Sequence, residues 1–295
     1  MAFCNLCPRM CSANRKHGEY GYCGVGEELS VSKAYLHMWE EPCISGSRGS
    51  GAVFFDGCGL GCIYCQNNRI SRGEVGKTLS VQELADIFIK LQNKGAHNIN
   101  LVTPTHFAFK IKEALFYSKE KGLSIPVVYN TGGYERNETI KLLEDCVDIY
   151  LPDFKYMDPN TAKKYSNAAD YPEFARMALK EMVRQKPNVI FDENGIVKSG
   201  VIVRHLLLPG NLKNSKAVLE YVYKTYGDSV YISIMNQYTP MRKFAEFPEL
   251  SETTSRREYE KLINYALSLG IKNAYIQDSE SSDCSYIPDF DMEGI

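Results

Sequence analysis

The sequence lacks any apolar run long enough to cross a bilayer, and its first residues lack the basic and apolar stretches of a secretion signal. It also lacks an excess of either charge: 34 basic and 36 acidic residues leave a net charge of −2. This balance gives no basic footprint for nucleic acid and no polybasic patch for a membrane. We therefore expect a cytoplasmic protein with neither nucleic acid nor membrane among its partners.

Cysteine, by contrast, is not scarce, since the 295 residues include ten cysteines. Most of them stand two or three residues from another cysteine, and no secretion signal precedes them. This pattern indicates metal binding in a reducing compartment rather than disulfides. The composition, with 44% hydrophobic and 24% charged residues, is that of an ordinary globular protein, and the length suits an α/β barrel.

One close group is Cys58, Cys62 and Cys65, at Cys-x3-Cys-x2-Cys spacing on a glycine-rich loop after the apolar stretch 52–55. Three thiolates can bind three irons of a [4Fe-4S] cluster and leave the fourth iron open to a small molecule, whereas closed clusters use four cysteines. Tyr64 would place an aromatic face beside the open iron. The alternatives are a zinc knuckle or three buried thiols, but no fourth cysteine or histidine follows closely enough to complete a zinc site.

This loop resembles the signature of the radical S-adenosylmethionine (radical SAM) superfamily, including the aromatic residue before the last cysteine. The resemblance implies that the open iron is chelated by the amino and carboxylate groups of SAM. It also implies that one electron, from a donor such as flavodoxin or ferredoxin, cleaves SAM to a 5′-deoxyadenosyl radical that abstracts hydrogen. Cys58, Cys62 and Cys65 are then the expected catalytic ligands.

Strand-like and helix-like segments alternate from residue 51 onward, which predicts a parallel sheet with right-handed crossovers. About six such units suit a partial (β/α)6 barrel, the fold that the resemblance also implies. We expect a Cys-rich N-terminal module at 1–50, and at 51–295 the barrel with a C-terminal extension. The predicted strands are 52–56, 98–103, 125–129, 147–152, 200–207, 229–234 and 273–276. The first predicted helix begins at residue 81, after Ser80 as N-cap. The other predicted helices cover 107–121, 137–145, 172–186, 213–226 and 253–269.

Polar side chains close the predicted strands, and in α/β barrels functional groups lie at the carboxyl ends of strands. Asp153 and Lys155 project to the same face, and the guanidinium of Arg204 can pair with a carboxylate or a ribose oxygen. We expect this set, together with Tyr64, to bind SAM or an associated cation: Thr103, His106, Asn130, Asp153, Lys155, Arg204 and Asn236.

Three of these strand ends, at Asn130, Asp153 and Arg204, resemble those of pyruvate formate-lyase activating enzyme, with Asn130 where that family has Asp. Over nearly its whole length the chain resembles the pyruvate formate-lyase activating-enzyme-like branch of the superfamily. The resemblance implies hydrogen abstraction from a protein or peptide, such as a glycyl-radical enzyme. Modification of a small molecule is the alternative, and a non-catalytic zinc-ribbon interaction protein is a third hypothesis from another class.

A second cysteine group opens the chain, where Cys4, Cys7, Cys11 and Cys23 stand at Cys-x2-Cys-x3-Cys-x11-Cys spacing. Four thiolates can complete a tetrahedral zinc site or bind a second [4Fe-4S] cluster, and the spacing fits both. A segment so short and so rich in glycine has little hydrophobic core of its own, which favours a bound metal that stabilises its fold. The remaining cysteines, which we expect to be ordinary thiols, are Cys43, Cys146 and Cys284.

Overall fold

The structure is a computed structural model that describes residues 3–277 and 288–295. Its strands are β1 Leu29–His37, β2 Ser50–Phe55, β3 Lys77–Leu79, β4 Ile99–Val102, β5 Val127–Thr131, β6 Ile149–Pro152, β7 Ile190–Phe191, β8 Val197–Leu206, β9 Tyr231–Met235 and β10 Ala274–Ile276. Its α-helices are α1 Pro42–Ser45, α2 Val81–Asn93, α3 Ala108–Glu120, α4 Asn137–Leu142, α5 Pro159–Ser166, α6 Tyr171–Gln185, α7 Leu212–Tyr226 and α8 Arg256–Leu269.

The strands of the described residues form one sheet in the order β10-β9-β8-β6-β5-β4-β2-β1-β3, with β7 paired to β8 beside this path. All neighbours from β2 to β10 along this order are parallel, whereas β1 and β3 add antiparallel strands at one edge. Helices connect the parallel strands, as right-handed crossovers require. The mixed α/β fold and the predicted parallel strands are thereby confirmed.

Local sequence signals set several element ends. The hydroxyl of Ser80 accepts a hydrogen bond from the Glu83 amide, and the Glu83 side chain bonds back to the Ser80 amide, so α2 begins with the predicted N-cap. Helix α8 ends at Gly270, whose φ of +89° favours glycine. Residues 190–199 form a hairpin, since β7 pairs antiparallel with β8.

Strand β1 and helix α5 were not predicted from the sequence. The inward-facing residues of β1 include Lys33, whose buried ammonium forms ion pairs with Asp291 at 2.8 Å and Glu293 at 3.1 Å. A buried lysine obscures the apolar alternation of a strand. Because β1 pairs with β2, the sheet extends across the boundary at residue 50 that the sequence predicts between the two units.

Tightly packed apolar layers lie between the sheet and the helices and hold the strands in place. Strands β5 and β6 contribute Tyr129 and Tyr150, which pack with Leu179 of α6 and Val218 of α7. No helix in the described ranges is long and apolar enough to cross a membrane. The rigid sheet fixes the carboxyl ends of its parallel strands along one edge.

Candidate functional site

A cavity of about 230 Å³ opens at the carboxyl ends of the parallel strands. Val102, Leu206 and Met235, which end β4, β8 and β9, form part of its wall. Nearly all of the site residues predicted for the barrel meet in this cavity. The predicted residues that line it are Cys58, Cys62, Tyr64, Cys65, Thr103, Asn130, Asp153, Lys155 and Arg204.

The cysteine loop turns sharply as it leaves β2. Gly57 has a φ of +89°, and a Cβ there would lie 2.7 Å from the carbonyl oxygen of Cys23, so only glycine fits. The next residue anchors the loop, since the Cys58 amide donates to the same Cys23 carbonyl at 3.1 Å. The sequence thus folds the loop tightly against the N-terminal module while its three thiols face the cavity.

The three thiols line one cavity and lie close enough to affect one another's charge. Burial raises the pKa of Cys65 to about 12, and the neighbouring Cys58 and Cys62 add to the rise because adjacent thiolates repel. A bound cationic centre relieves both costs. Two donors already point at the sulfurs: the Leu60 amide lies 3.4 Å from Cys58 Sγ, and the Ser166 hydroxyl lies 3.0 Å from Cys62 Sγ. Hydrogen bonds of this kind are typical of cluster thiolates, so the residues fit the cluster that the loop implies.

A charged network centred on Arg204 also lines the cavity. Its guanidinium donates to Asp153 Oδ1 at 2.9 Å, Glu40 Oε2 at 3.0 Å and Asn130 Oδ1 at 2.5 Å. Asp153 also accepts from the ammonium of Lys155 at 2.6 Å. Burial by itself would raise the pKa of Asp153, but Lys155 and Arg204 outweigh it and hold the pKa below its usual value. The network therefore presents fixed charges to whatever occupies the cavity.

Glu40 was not predicted as a site residue. It comes from the segment between β1 and α1, and its Oε1 accepts from the side-chain amides of Asn100 and Asn130 at 2.9 and 3.1 Å. The sequence carries one signal for it, because Glu40-Glu41-Pro42 is among the stretches in which the chain resembles the activating-enzyme-like branch. Strand-end reasoning missed it since Glu40 precedes every predicted strand.

An aromatic wall also lines the cavity and was not predicted either. It includes His37, Trp39 and Phe54. The His37 and Phe54 rings meet edge to face at 6.4 Å, and burial, together with the charge of Arg204, lowers the pKa of His37 to about 4. His37 is therefore neutral near pH 7, and this wall carries no formal charge.

Two predicted residues lie apart from the cavity lining. His106 lines a different cavity of about 390 Å³ beside Cys4, and its Nε2 lies 2.7 Å from the carbonyl oxygen of Asp56. Asn236 is also not among the lining residues, although its neighbour Gln237 is. The backbone N–H of Asn236 donates to Gln277 Oε1 at 2.9 Å.

The four N-terminal cysteines lie near one another beside the cysteine loop. A Cβ added at Gly21 would lie 3.1 Å from Cys23 Sγ and 3.5 Å from Cys11 Sγ. Burial raises the pKa of Cys7 to about 12, and the nearby Cys23 and Cys4 add to the rise. Arg15 donates to Cys23 Sγ at 3.0 Å. Within the described ranges, no three Cys, His, Asp or Glu side chains converge on a point that would bind one metal ion.

The three isolated cysteines stay outside these groups as far as they are described. Cys43 and Cys146 are buried free thiols away from the cavity lining, and burial raises the pKa of Cys43 to about 11. Cys284 lies outside the described residues.

Glu135 is a buried carboxyl beneath the strand ends. It accepts hydrogen bonds from the hydroxyls of Thr105 at 2.6 Å, Tyr129 at 3.3 Å and Thr131, which lines the cavity. Burial raises its pKa to about 7, although the three hydroxyls oppose this rise. The carboxyl links β5 to the loop after β4 and so supports the floor of the cavity.

Comparison with known proteins agrees with this geometry. The family model of the radical SAM superfamily matches residues 52–211. An uncharacterized protein of Methanocaldococcus jannaschii is 30% identical over 273 residues, which is 89% of this chain and 74% of the relative. A radical SAM methyltransferase from Sphaerobacter thermophilus superposes with a TM-score of 0.54 at 15% identity, over 81% of this chain and 69% of that one.

A second solved structure, methylornithine synthase, superposes with a TM-score of 0.52 at 17% identity. The superposition covers 74% of this chain but only 60% of that protein, less than two thirds of its length. At such identities the two structures support the fold alone.

We predict that Glu135 makes the stability of the fold depend on pH. Because its folded pKa of about 7 exceeds the ordinary value of 4.5, the unfolded chain releases this proton first, and stability falls as pH rises between these values. The loss amounts to about 3 kcal/mol in full. Glu135→Gln should flatten the fall in melting temperature between pH 5 and pH 8. Glu138→Gln, at an exposed position, is the control, and equal slopes for both variants would contradict the prediction.

Proposed function

The chain belongs to the radical SAM superfamily, and on this premise we propose that it is a cytoplasmic oxidoreductase that abstracts hydrogen from a protein or peptide substrate. The single observation that supports this best is the meeting of the three loop thiols and the Arg204 network in one cavity. When bound, the [4Fe-4S] cluster supplies one electron, obtained from a donor such as flavodoxin or ferredoxin, so that SAM is cleaved to methionine and a 5′-deoxyadenosyl radical.

The residues of this chain divide the remaining work between them. Cys58, Cys62 and Cys65 would bind the cluster, and Tyr64, 6% exposed, closes the cavity beside them. Three of the five N–H groups of Arg204 are used by the network, and a guanidinium fits a carboxylate or ribose oxygen with those that remain. Asp153 and Lys155 hold opposite charges at the same edge, suited to the zwitterionic end of SAM.

A protein or peptide substrate is favoured by the rim of the cavity. Trp39 lines the cavity and is 63% exposed. Exposed aromatic side chains at a cleft are typical of surfaces that bind another polypeptide. A glycyl-radical enzyme is one substrate of this class. A small molecule remains the second candidate, favoured by the charged floor around Arg204.

We further propose that Cys4, Cys7, Cys11 and Cys23 bind a second metal centre. Backbone N–H groups of Ala13 and Tyr22, with the charge of Arg15, outweigh the effect of burial and lower the pKa of Cys11. Such donors favour the thiolate, which is the form that binds metals. Zinc and a second [4Fe-4S] cluster both suit four thiolates. We favour the second cluster because an electron must reach the cavity from outside.

The catalytic assignment predicts that Cys62→Ala abolishes the release of 5′-deoxyadenosine from SAM in anaerobic, dithionite-reduced protein. With two cysteine ligands left, the cluster should be lost or inactive. Cys146→Ala, which removes a buried thiol outside the cavity, is the matched control and should retain activity. An unchanged yield of 5′-deoxyadenosine in Cys62→Ala would refute the assignment.

The network predicts that Glu40→Gln weakens SAM binding without reducing the iron content. Loss of one charged partner leaves Arg204 less firmly oriented, and hydrogen bonds to charged groups contribute about 1.5–3 kcal/mol. The dissociation constant of SAM, measured by anaerobic calorimetry, should rise about tenfold or more. Glu249→Gln, which loses partners in Lys164 and Tyr165 outside the cavity, should bind SAM as the unmodified protein does. Wild-type affinity in Glu40→Gln would count against the network.

The N-terminal centre predicts that protein with Cys58, Cys62 and Cys65 all changed to Ala still contains metal. A four-thiolate zinc site would retain about one zinc, whereas a second cluster would retain about four irons and a broad visible absorbance. Elemental analysis after anaerobic purification distinguishes the two outcomes. A protein that retains neither metal would show that the four cysteines are not a metal site.

A further inference from the structure

Arg9 joins the N-terminal module to the cysteine loop. It stands between Cys7 and Cys11 in sequence, and its guanidinium donates to four backbone carbonyls on two other segments. These hydrogen bonds reach Gly59 at 2.9 Å, Leu60 at 3.1 Å, Ser166 at 2.8 Å and Asn167 at 2.5 Å. Charged donors of this kind form strong and geometrically specific bonds.

Aromatic rings hold the guanidinium in this position. Its central carbon lies 4.1 Å from the ring centroid of Tyr22 and 5.3 Å from that of Tyr134, distances typical of cation–π contacts. One ring belongs to the module and the other to the barrel. Arg9 is therefore fixed by both parts and is not a surface charge that turns freely.

The carbonyls that Arg9 binds lie next to the sulfurs of the cavity. Gly59 and Leu60 occupy the stretch between Cys58 and Cys62, and a Cβ at Gly59 would lie 3.2 Å from Cys7 Sγ. Both cysteine groups thus contact the same short piece of backbone. Movement of the module would carry the loop with it.

The second pair of carbonyls ends helix α5, where the chain turns through Asn167 at a φ of +46°. The side chain of Ser166 points from this turn to the cluster ligand, and its Oγ donates to Cys62 Sγ at 3.0 Å. The same Ser166 Oγ lies 2.8 Å from the hydroxyl of Tyr156. The hydroxyls of Tyr156 and Tyr64 lie 2.7 Å apart, which extends the chain of hydrogen bonds to the aromatic residue before Cys65.

We propose that Arg9 is a positioning residue through which the N-terminal module sets the reduction potential of the cluster, by holding Ser166 in hydrogen-bond contact with Cys62. This inference rests on the proposed function only in that Cys62 ligates a cluster. A hydrogen bond to a cluster sulfur stabilises the more negative, reduced state and so raises the potential. Arg9 acts indirectly, because its four hydrogen bonds end on backbone oxygens and not on a sulfur.

The test is a redox titration, followed by electron paramagnetic resonance, of the full-length, anaerobically reconstituted protein. The signal followed is the one that changes when SAM is added, which separates the cavity cluster from any N-terminal one. Ser166→Ala should shift the midpoint potential to a more negative value, whereas Ser166→Thr, which keeps the hydroxyl, should restore it. Arg9→Gln should shift the potential in the same direction, and the double variant with Ser166→Ala should shift it by less than the sum of the two.

The matched control is Arg136→Gln. Arg136 also ties the module to the barrel, by donating to the Asn5 carbonyl at 2.7 Å, but it contacts neither the cysteine loop nor the turn at Ser166. The midpoint potential of the Arg136→Gln variant should equal that of the unmodified protein. An unchanged potential in Ser166→Ala, or an equal shift in Arg136→Gln and Arg9→Gln, would overturn the proposal. If Arg9→Gln does not fold, the comparison of Ser166→Ala with Ser166→Thr decides alone. If the unmodified protein gives no paramagnetic resonance signal that changes with SAM, the cluster itself is refuted.

Discussion

The structure of the cavity depends on one buried cation, the guanidinium of Arg204, which must be paired with hydrogen-bond acceptors. The side chain of Arg204 is 15% exposed, and a buried cation without paired acceptors would be strongly destabilising. Its acceptors come from three separate parts of the chain, at Glu40, Asn130 and Asp153. The same contacts therefore hold the ends of β5, β6 and β8 together and draw the segment before α1 across the strand ends. Removing any one acceptor would leave the guanidinium incompletely paired where these strands end.

Two kinds of contact join the N-terminal module to the barrel. Its strand β1 adds apolar side chains to a core. Hydrogen bonds between charged side chains and backbone carbonyls add to this: Arg9 donates to four carbonyls, Arg15 to the carbonyl of His106 at 2.7 Å, and Arg136 to that of Asn5. Bonds of this kind are directional, whereas hydrophobic packing is not. The module is thus held in one orientation against the cysteine loop.

Sequence periodicity predicted the elements of the barrel well, because strands such as β5 and β6 are continuous apolar runs with polar residues at their ends. The same reasoning predicted Asp153, Lys155 and Arg204 as neighbours, since parallel strands end along one edge. It failed where a residue owes its place to distant contacts. Lys33 breaks the pattern of β1, and its partners Asp291 and Glu293 lie near the other end of the chain.

His106 and Glu40 show the same limit at the site itself. His106 follows a strand end in sequence, but the chain enters a helical turn at Thr105 and carries the imidazole away toward Asp56. Glu40 stands outside the alternating pattern, and only the three-dimensional return of its segment brings it to Arg204. No spacing rule predicts either outcome, because both depend on the path of a loop between regular elements.

The long reach of these contacts has a consequence for how the chain is made. Arg9 binds Asn167, which lies 158 residues later, Glu40 binds Arg204 after 164, and Lys33 binds Asp291 after 258. Synthesis proceeds from the N-terminus, so these side chains leave the ribosome long before the residues that bind them. Lys33 in particular reaches Asp291 only when the chain is nearly complete.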